Sequence, residues 1–204
     1  NNELVAIFGN FVNRAFVLTQ KFFDNKVPAL GDLQEVDKKA LADLKLFPAR
    51  ISESIETYRF REATSGLMDL ARLGNKYLAE TEPWKLAKTD LPRVGTILNI
   101  ALQIAANLSV MAEPFLPFSA SKLKTMLNVG STQWHHAGTG DLLAVSHSLG
   151  ESALLFEKIE DEVIEVQIKK LFDTKKKMEL ASQPAAPAKQ EVSFDEFSKM
   201  DIRI

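Results

Sequence analysis

The stretch that decides the fold is VGTILNIALQIAANLSVM, residues 94–111. It is the most apolar run in the chain, but Asn99, Gln103 and Asn107 interrupt it at i, i+4 and i+8. That spacing places the three amides on one face of a helix. Bilayer hydrocarbon tolerates such a polar stripe poorly. The stretch therefore reads as a buried helix of a bundle with one polar seam, not as a membrane span.

Other helices follow on both sides of it. Before it, Leu4, Phe8, Phe11, Ala15, Leu18 and Phe22 recur in steps of three and four, which predicts a helix over about 3–23. Pro28 and Gly31 mark a loop. A second helix starts near Glu35 with the stripe Leu41, Leu44, Ile51 and Ile55, and Pro48 predicts a kink or break within it. A third spans about 59–80, with Phe60, Ala63, Leu67, Leu70, Gly74 and Leu78 on its buried edge. A glycine in mid-helix costs about 1 kcal/mol against alanine, so Gly74 points to a close approach of two helices. Pro83 then precedes a short helical turn over 84–88. Beyond the central helix, a fifth covers about 119–127. Residues 128–150, with Gly130, Gly138, Gly140 and Gly150, read as irregular loops. A terminal helix is expected over about 160–178. After it, the Pro- and Ala-rich residues 181–190 read as a linker. The fold class is all-α.

The 204 residues are 46% hydrophobic and 25% charged, as in an ordinary globular chain. The absence of cysteine excludes disulfides and thiolate metal sites and fits a cytoplasmic protein. No secretory signal is visible. With a net charge of −2, no basic field advertises nucleic acid, so any RNA contact must be local. Neither HExxH, GxSxG, a P-loop nor a GxGxxG fingerprint occurs. His135, His136 and His147 carry no metal-ligand spacing, so no catalytic or metal residue is assigned. There is no initiator Met, helical periodicity is running by Leu4, and residues 201–204 alternate like a starting strand. Both ends read as interruptions, so a piece of a larger protein is expected.

Two features suggest recognition. Asn10 and Arg14 are four apart, on the flank of the first apolar stripe, where an amide and a guanidinium suit hydrogen bonding to the edges of RNA bases. Helix-packing polar residues would look the same. Trp84 follows Pro83 at a helix end, where an indole can serve as a stacking platform for an unpaired base, or can plug a gap between helices.

The segments Asn10-Phe11-Val12-Asn13-Arg14, Ala71-Arg72-Leu73-Gly74-Asn75-Lys76-Tyr77-Leu78 and Glu82-Pro83-Trp84-Lys85-Leu86-Ala87-Lys88 resemble the anticodon-binding domain of methionyl-tRNA synthetases. Residues 155–162 resemble the segment that closes that domain in bacterial members. Residues 194–204 look like the opening of the tRNA-binding β-barrel appended to many of them. The resemblance implies an anticodon-binding helix bundle of a class I aminoacyl-tRNA synthetase over 1–180, a linker, and the start of the barrel module over 191–204. It also implies that Asn10 and Arg14 hydrogen-bond bases of the CAU anticodon and that Trp84 stacks on the cytosine, from the opposite wall of one groove. Arg14, Lys21 and Lys88 would attract the backbone. ATP and Mg would belong to a catalytic domain whose signatures are missing here, so no cofactor is expected in this chain. The partners implied are the anticodon loop of methionine tRNA and, in cis, the catalytic domain. Dimerisation, where present, would come through the appended module, leaving this chain monomeric. The sequence departs from some members at Ala6, where they carry Asn, and at Ala79, where they carry an acidic residue, with Glu80 adjacent. Other class I bundles, isoleucyl or valyl, and a non-enzymatic helical module are the alternatives.

Overall fold

A computed structural model describes residues 1–130, 132–181 and 191–200. Two compact units divide the chain, residues 1–158 and 159–204. In the first, a π-helical turn (Leu4–Gly9) runs directly into α1 (Asn10–Phe23), followed by α2 (Glu35–Glu56), α3 (Phe60–Thr81), α4 (Pro83–Leu86), α5 (Leu91–Met111) and α6 (Pro117–Leu127). No strand occurs among the described residues, and the one isolated bridge joins Lys26 to Ser148. The all-α expectation holds.

The core forms where apolar stripes meet. Phe8, Phe11, Val12, Ala15 and Phe16 are buried from the first helix, with Leu44 and Ile51 from α2 and Leu67, Leu70 and Leu78 from α3. Phe11 explains Gly74. A Cβ built at Gly74 would lie 2.4 Å from the Phe11 ring, so only glycine admits the ring against α3. Pro48 does not break α2, which continues through it as one helix. Proline removes one backbone donor, and the packing of Leu44, Phe47 and Ile51 on both sides of it outweighs that loss.

α5 is the one described helix long and apolar enough to cross a membrane, and its apolar window is wholly buried inside the bundle. Asp90 caps its start by accepting from the Arg93 amide at 3.0 Å. Arg93 then makes a two-pronged ion pair with Asp37 of α2, and Tyr77 of α3 donates to the same carboxylate at 2.7 Å. Burial alone would raise the Asp37 carboxyl. Bonds from Arg93, Tyr77 and the Gln34 amide outweigh it and hold the carboxyl below its ordinary value of 3.8. Three helices are thereby tied at one buried point.

The polar seam of α5 is fully used. Asn99 donates to the Pro28 carbonyl at 2.8 Å. Gln103 donates to the Leu143 carbonyl and accepts from the Leu143 amide, at 2.8 and 3.0 Å. Asn107 donates to the Thr139 carbonyl and accepts from the Gly138 amide, at 2.8 and 2.6 Å. Asn99 thereby holds the loop between α1 and α2, while Gln103 and Asn107 satisfy the buried backbone of a segment whose described residues are irregular apart from a 3₁₀ turn, Trp134–His136. From the loop between α1 and α2, Asn25 adds bonds to the Leu149 and Gly150 carbonyls at 2.9 and 3.2 Å.

In the second unit, α7 (Asp161–Ala181) covers the expected terminal helix. A short α8 (Phe194–Phe197) begins with a Ser193–Glu196 capping box. Of the linker expected over 181–190, Ala181 instead ends α7, and residues 182–190, like the alternating residues 201–204, lie outside the described residues.

Candidate functional site

Arg14 of α1 meets Trp84 just beyond the end of α3, and Asn10 lies one helical turn before Arg14 on α1. Glu82 has a left-handed backbone, φ 42°, and both ends α3 and starts α4. Pro83 follows at the first helical position, where its missing N–H costs nothing, and is buried. That anchor turns the next residue outward, and Trp84 is 39% exposed. On α1, Phe11 and Ala15 are buried while Asn10, Val17 and Lys21 are exposed and Arg14 is half-buried, so the flank reading is correct. The Arg14 guanidinium lies over the Trp84 ring, 4.8 Å from its centroid. The two side chains therefore touch instead of facing each other across an open groove, joined by the attraction of a cation for an aromatic face.

A fourth residue belongs to the group. Asn75 of α3 donates to the Ile7 carbonyl at 2.8 Å and the Ala71 carbonyl at 3.3 Å, and its Oδ1 accepts from Asn10 Nδ2 at 3.5 Å. Asn75 lies within the family-like segment 71–78, but sequence spacing alone assigns it no role. Its position directly after Gly74, against which the Phe11 ring of α1 packs, is the available signal. The start of α1 is covered from the other side by Phe156, which makes an edge contact with Phe8 at 5.5 Å and leaves no room for a Cβ at Gly9 without a 3.3 Å contact. The predicted closing segment thus reaches the turn that delivers Asn10.

The site offers flat donors, one exposed amide and an aromatic face. Arg14, Lys21 and Lys88 take no carboxylate partner among the described residues, whereas Lys85 pairs with Glu82 at 2.8 Å. Glu80 pairs with Lys76 at 3.7 Å and lines a depression between α2 and α3 with Tyr77 and Lys39, so it does not join Asn10 and Trp84. The His135 and His136 rings pack together at 3.9 Å, and His147 is bonded to the Leu127 carbonyl at 2.8 Å. No cluster of three or more His, Cys, Asp or Glu that could hold a metal occurs among the described residues.

Residues 27–176 match the family model described as the anticodon binding domain of methionyl tRNA ligase. The match includes Trp84 and Asn75 and starts after Asn10 and Arg14. All 204 residues are 59% identical to the methionine–tRNA ligase of Cytophaga hutchinsonii and 56% identical to that of Parabacteroides distasonis. The chain spans 30% of the length of each. Among solved structures, the apo form of Mycobacterium tuberculosis methionyl-tRNA synthetase matches with a TM-score of 0.69 and 24% identity, over 78% of this chain and 33% of that one. The same enzyme in complex with methionyl-adenylate gives 0.68 and 25%, over 78% and 32%.

Proposed function

The chain belongs to the family of methionyl-tRNA ligase anticodon-binding domains, and from that premise we propose that its Asn10–Arg14–Trp84 surface reads the CAU anticodon of methionine tRNA. The observation that carries this reading is the Arg14 guanidinium lying on the exposed Trp84 ring one helical turn from Asn10. Anticodon bases are unpaired, so they can be splayed out, stacked on an aromatic ring and hydrogen-bonded along their Watson–Crick edges. Cytosine takes the indole face, displacing the guanidinium to the edge of the base, where its donors meet acceptors. A few placed groups suffice for this, which accords with a chain of net charge −2. Arg14, Lys21 and Lys88 supply local attraction for the phosphates.

In this reading the whole protein is a cytoplasmic ligase that charges tRNA with methionine using ATP and Mg. The residues present here do not fit either group, having no phosphate-cradling loop and no ligand cluster among the described residues, so no chemical step is assigned to them. The bundle acts as the tRNA-reading partner of the catalytic domain in cis, and on its own as a monomer.

Calorimetric titration of the chain with a CAU stem-loop tests the reading. Trp84→Ala weakens binding by about 1–3 kcal/mol, the worth of one base–aromatic stack. Equal affinity for CAU and scrambled loops would sink it, and preference for an isoleucine or valine anticodon loop would move the chain's specificity elsewhere within the class.

A further inference from the structure

Asn75 does more than join two helices. Both protons of its amide nitrogen are committed, to the Ile7 and Ala71 carbonyls. Turning the amide over would set its oxygen against two carbonyl oxygens, so its orientation is fixed by its partners. Asn75 Oδ1 is consequently held toward Asn10, and only a donor is favourable there. Asn10 responds by turning Nδ2 toward it, at 3.5 Å. With Nδ2 directed at Asn75, the Asn10 oxygen takes no hydrogen bond among the described residues.

Ile7, the anchor of this arrangement, lies in the π-helical turn Leu4–Gly9 directly before Asn10. A π turn inside a helix is often associated with a functional position, because it re-aims the residues that follow. Here Asn75 clamps the turn and orients the residue that follows it with one side chain.

We propose that Asn75 is a positioning residue that locks the Asn10 amide with its oxygen outward, and that this lock makes the site prefer cytosine to uracil. The inference rests on the anticodon reading above. Its chemistry is the pairing of edges. Cytosine presents one amine donor and two acceptors, N3 and O2, along its Watson–Crick edge. An outward acceptor from Asn10 and donors from Arg14 complement that order. Uracil places a carbonyl where cytosine has the amine, so a locked acceptor meets another acceptor. An unlocked amide could turn its nitrogen outward and accommodate either base.

The test compares affinities of the chain for two stem-loops that differ only at the first anticodon base, CAU and UAU. Asn75→Leu removes the lock, and the CAU-to-UAU preference falls by about tenfold, the scale of one discriminating hydrogen-bond pair. Adding Asn10→Asp to that variant restores the preference, because a carboxylate presents an acceptor in either orientation. A merely structural role for Asn75 would give no such rescue. An unchanged CAU-to-UAU ratio in Asn75→Leu with helical circular dichroism intact overturns the proposal. If Asn75→Leu loses its helical signal, Asn75→Ser, too small to clash, carries the same comparison with the same two outcomes. A parent chain that binds CAU and scrambled loops alike would instead refute the anticodon reading itself.

Discussion

The segment between α6 and residue 156 and the helix α7 make an instructive contrast. Among its described residues the first has almost no regular secondary structure, yet Leu143, Leu149 and Leu155 are buried in it and its backbone is bonded at several points to side chains of the bundle. The second is an unbroken helix, Asp161–Ala181, in which every residue from 161 to 179 is exposed. In α7 the backbone satisfies itself. In the irregular segment the backbone is satisfied by Asn25, Gln103 and Asn107. Regularity and order are therefore separate properties. The first follows from local hydrogen bonding, the second from burial and from pairing across the fold.

The largest effect expected on this contrast comes from the point that holds α5 in place. Asp37→Ala leaves Arg93 charged, buried and unpaired, which costs about 3–5 kcal/mol. Urea unfolding should record that loss in the first unit. Acid acts in the same direction. The Asp37 carboxyl is lowered on folding, so its contribution is present above the unfolded value near 3.8 and is lost as pH falls through the folded value. Stability that is flat from pH 7 down to pH 2 would remove the ion pair from the account.

Next in size is the seam itself. Gln103→Leu preserves bulk and apolar packing but orphans the Leu143 amide and carbonyl, for about 2–4 kcal/mol in all. Hydrogen exchange sharpens the comparison. The Leu143 and Gly138 amides should be strongly protected in the parent, and Leu143 should lose protection in the variant. If both amides exchange as fast as those of a free loop, the seam does not order the segment.

The smallest effect should come from α7. Ile168→Ala removes an exposed side chain and should change stability by less than about 0.5 kcal/mol. A loss above 2 kcal/mol would mean that α7 is packed in solution and would dissolve the contrast.

Much of the fold was legible because helix periodicity is a local property. The stripe from Leu4 to Phe22 and the run over 94–111 each gave a helix and its buried face. Gly74 even announced a close contact, though not that Phe11 fills it. Of the kink or break expected at Pro48, the break does not occur, since local chain chemistry carries no information about the packing that holds a helix through a proline. At the site, spacing correctly put Asn10 and Arg14 on a flank. It could not show that Arg14 would rest on Trp84, 70 residues away in sequence, nor that Asn75 would face Asn10.

The sequence by itself determined the polar seam on the most apolar helix: three amides four residues apart had to share one face, and an apolar surrounding obliged them to find partners. Which partners they found was decided by tertiary structure alone. Pro28, Gly138, Thr139 and Leu143 are backbone positions with no side-chain signature, and a backbone amide or carbonyl is the same in every residue that offers it. Pairing of that kind depends on where the folded chain brings the groups together, so the irregular segment's order became visible only with the bundle assembled.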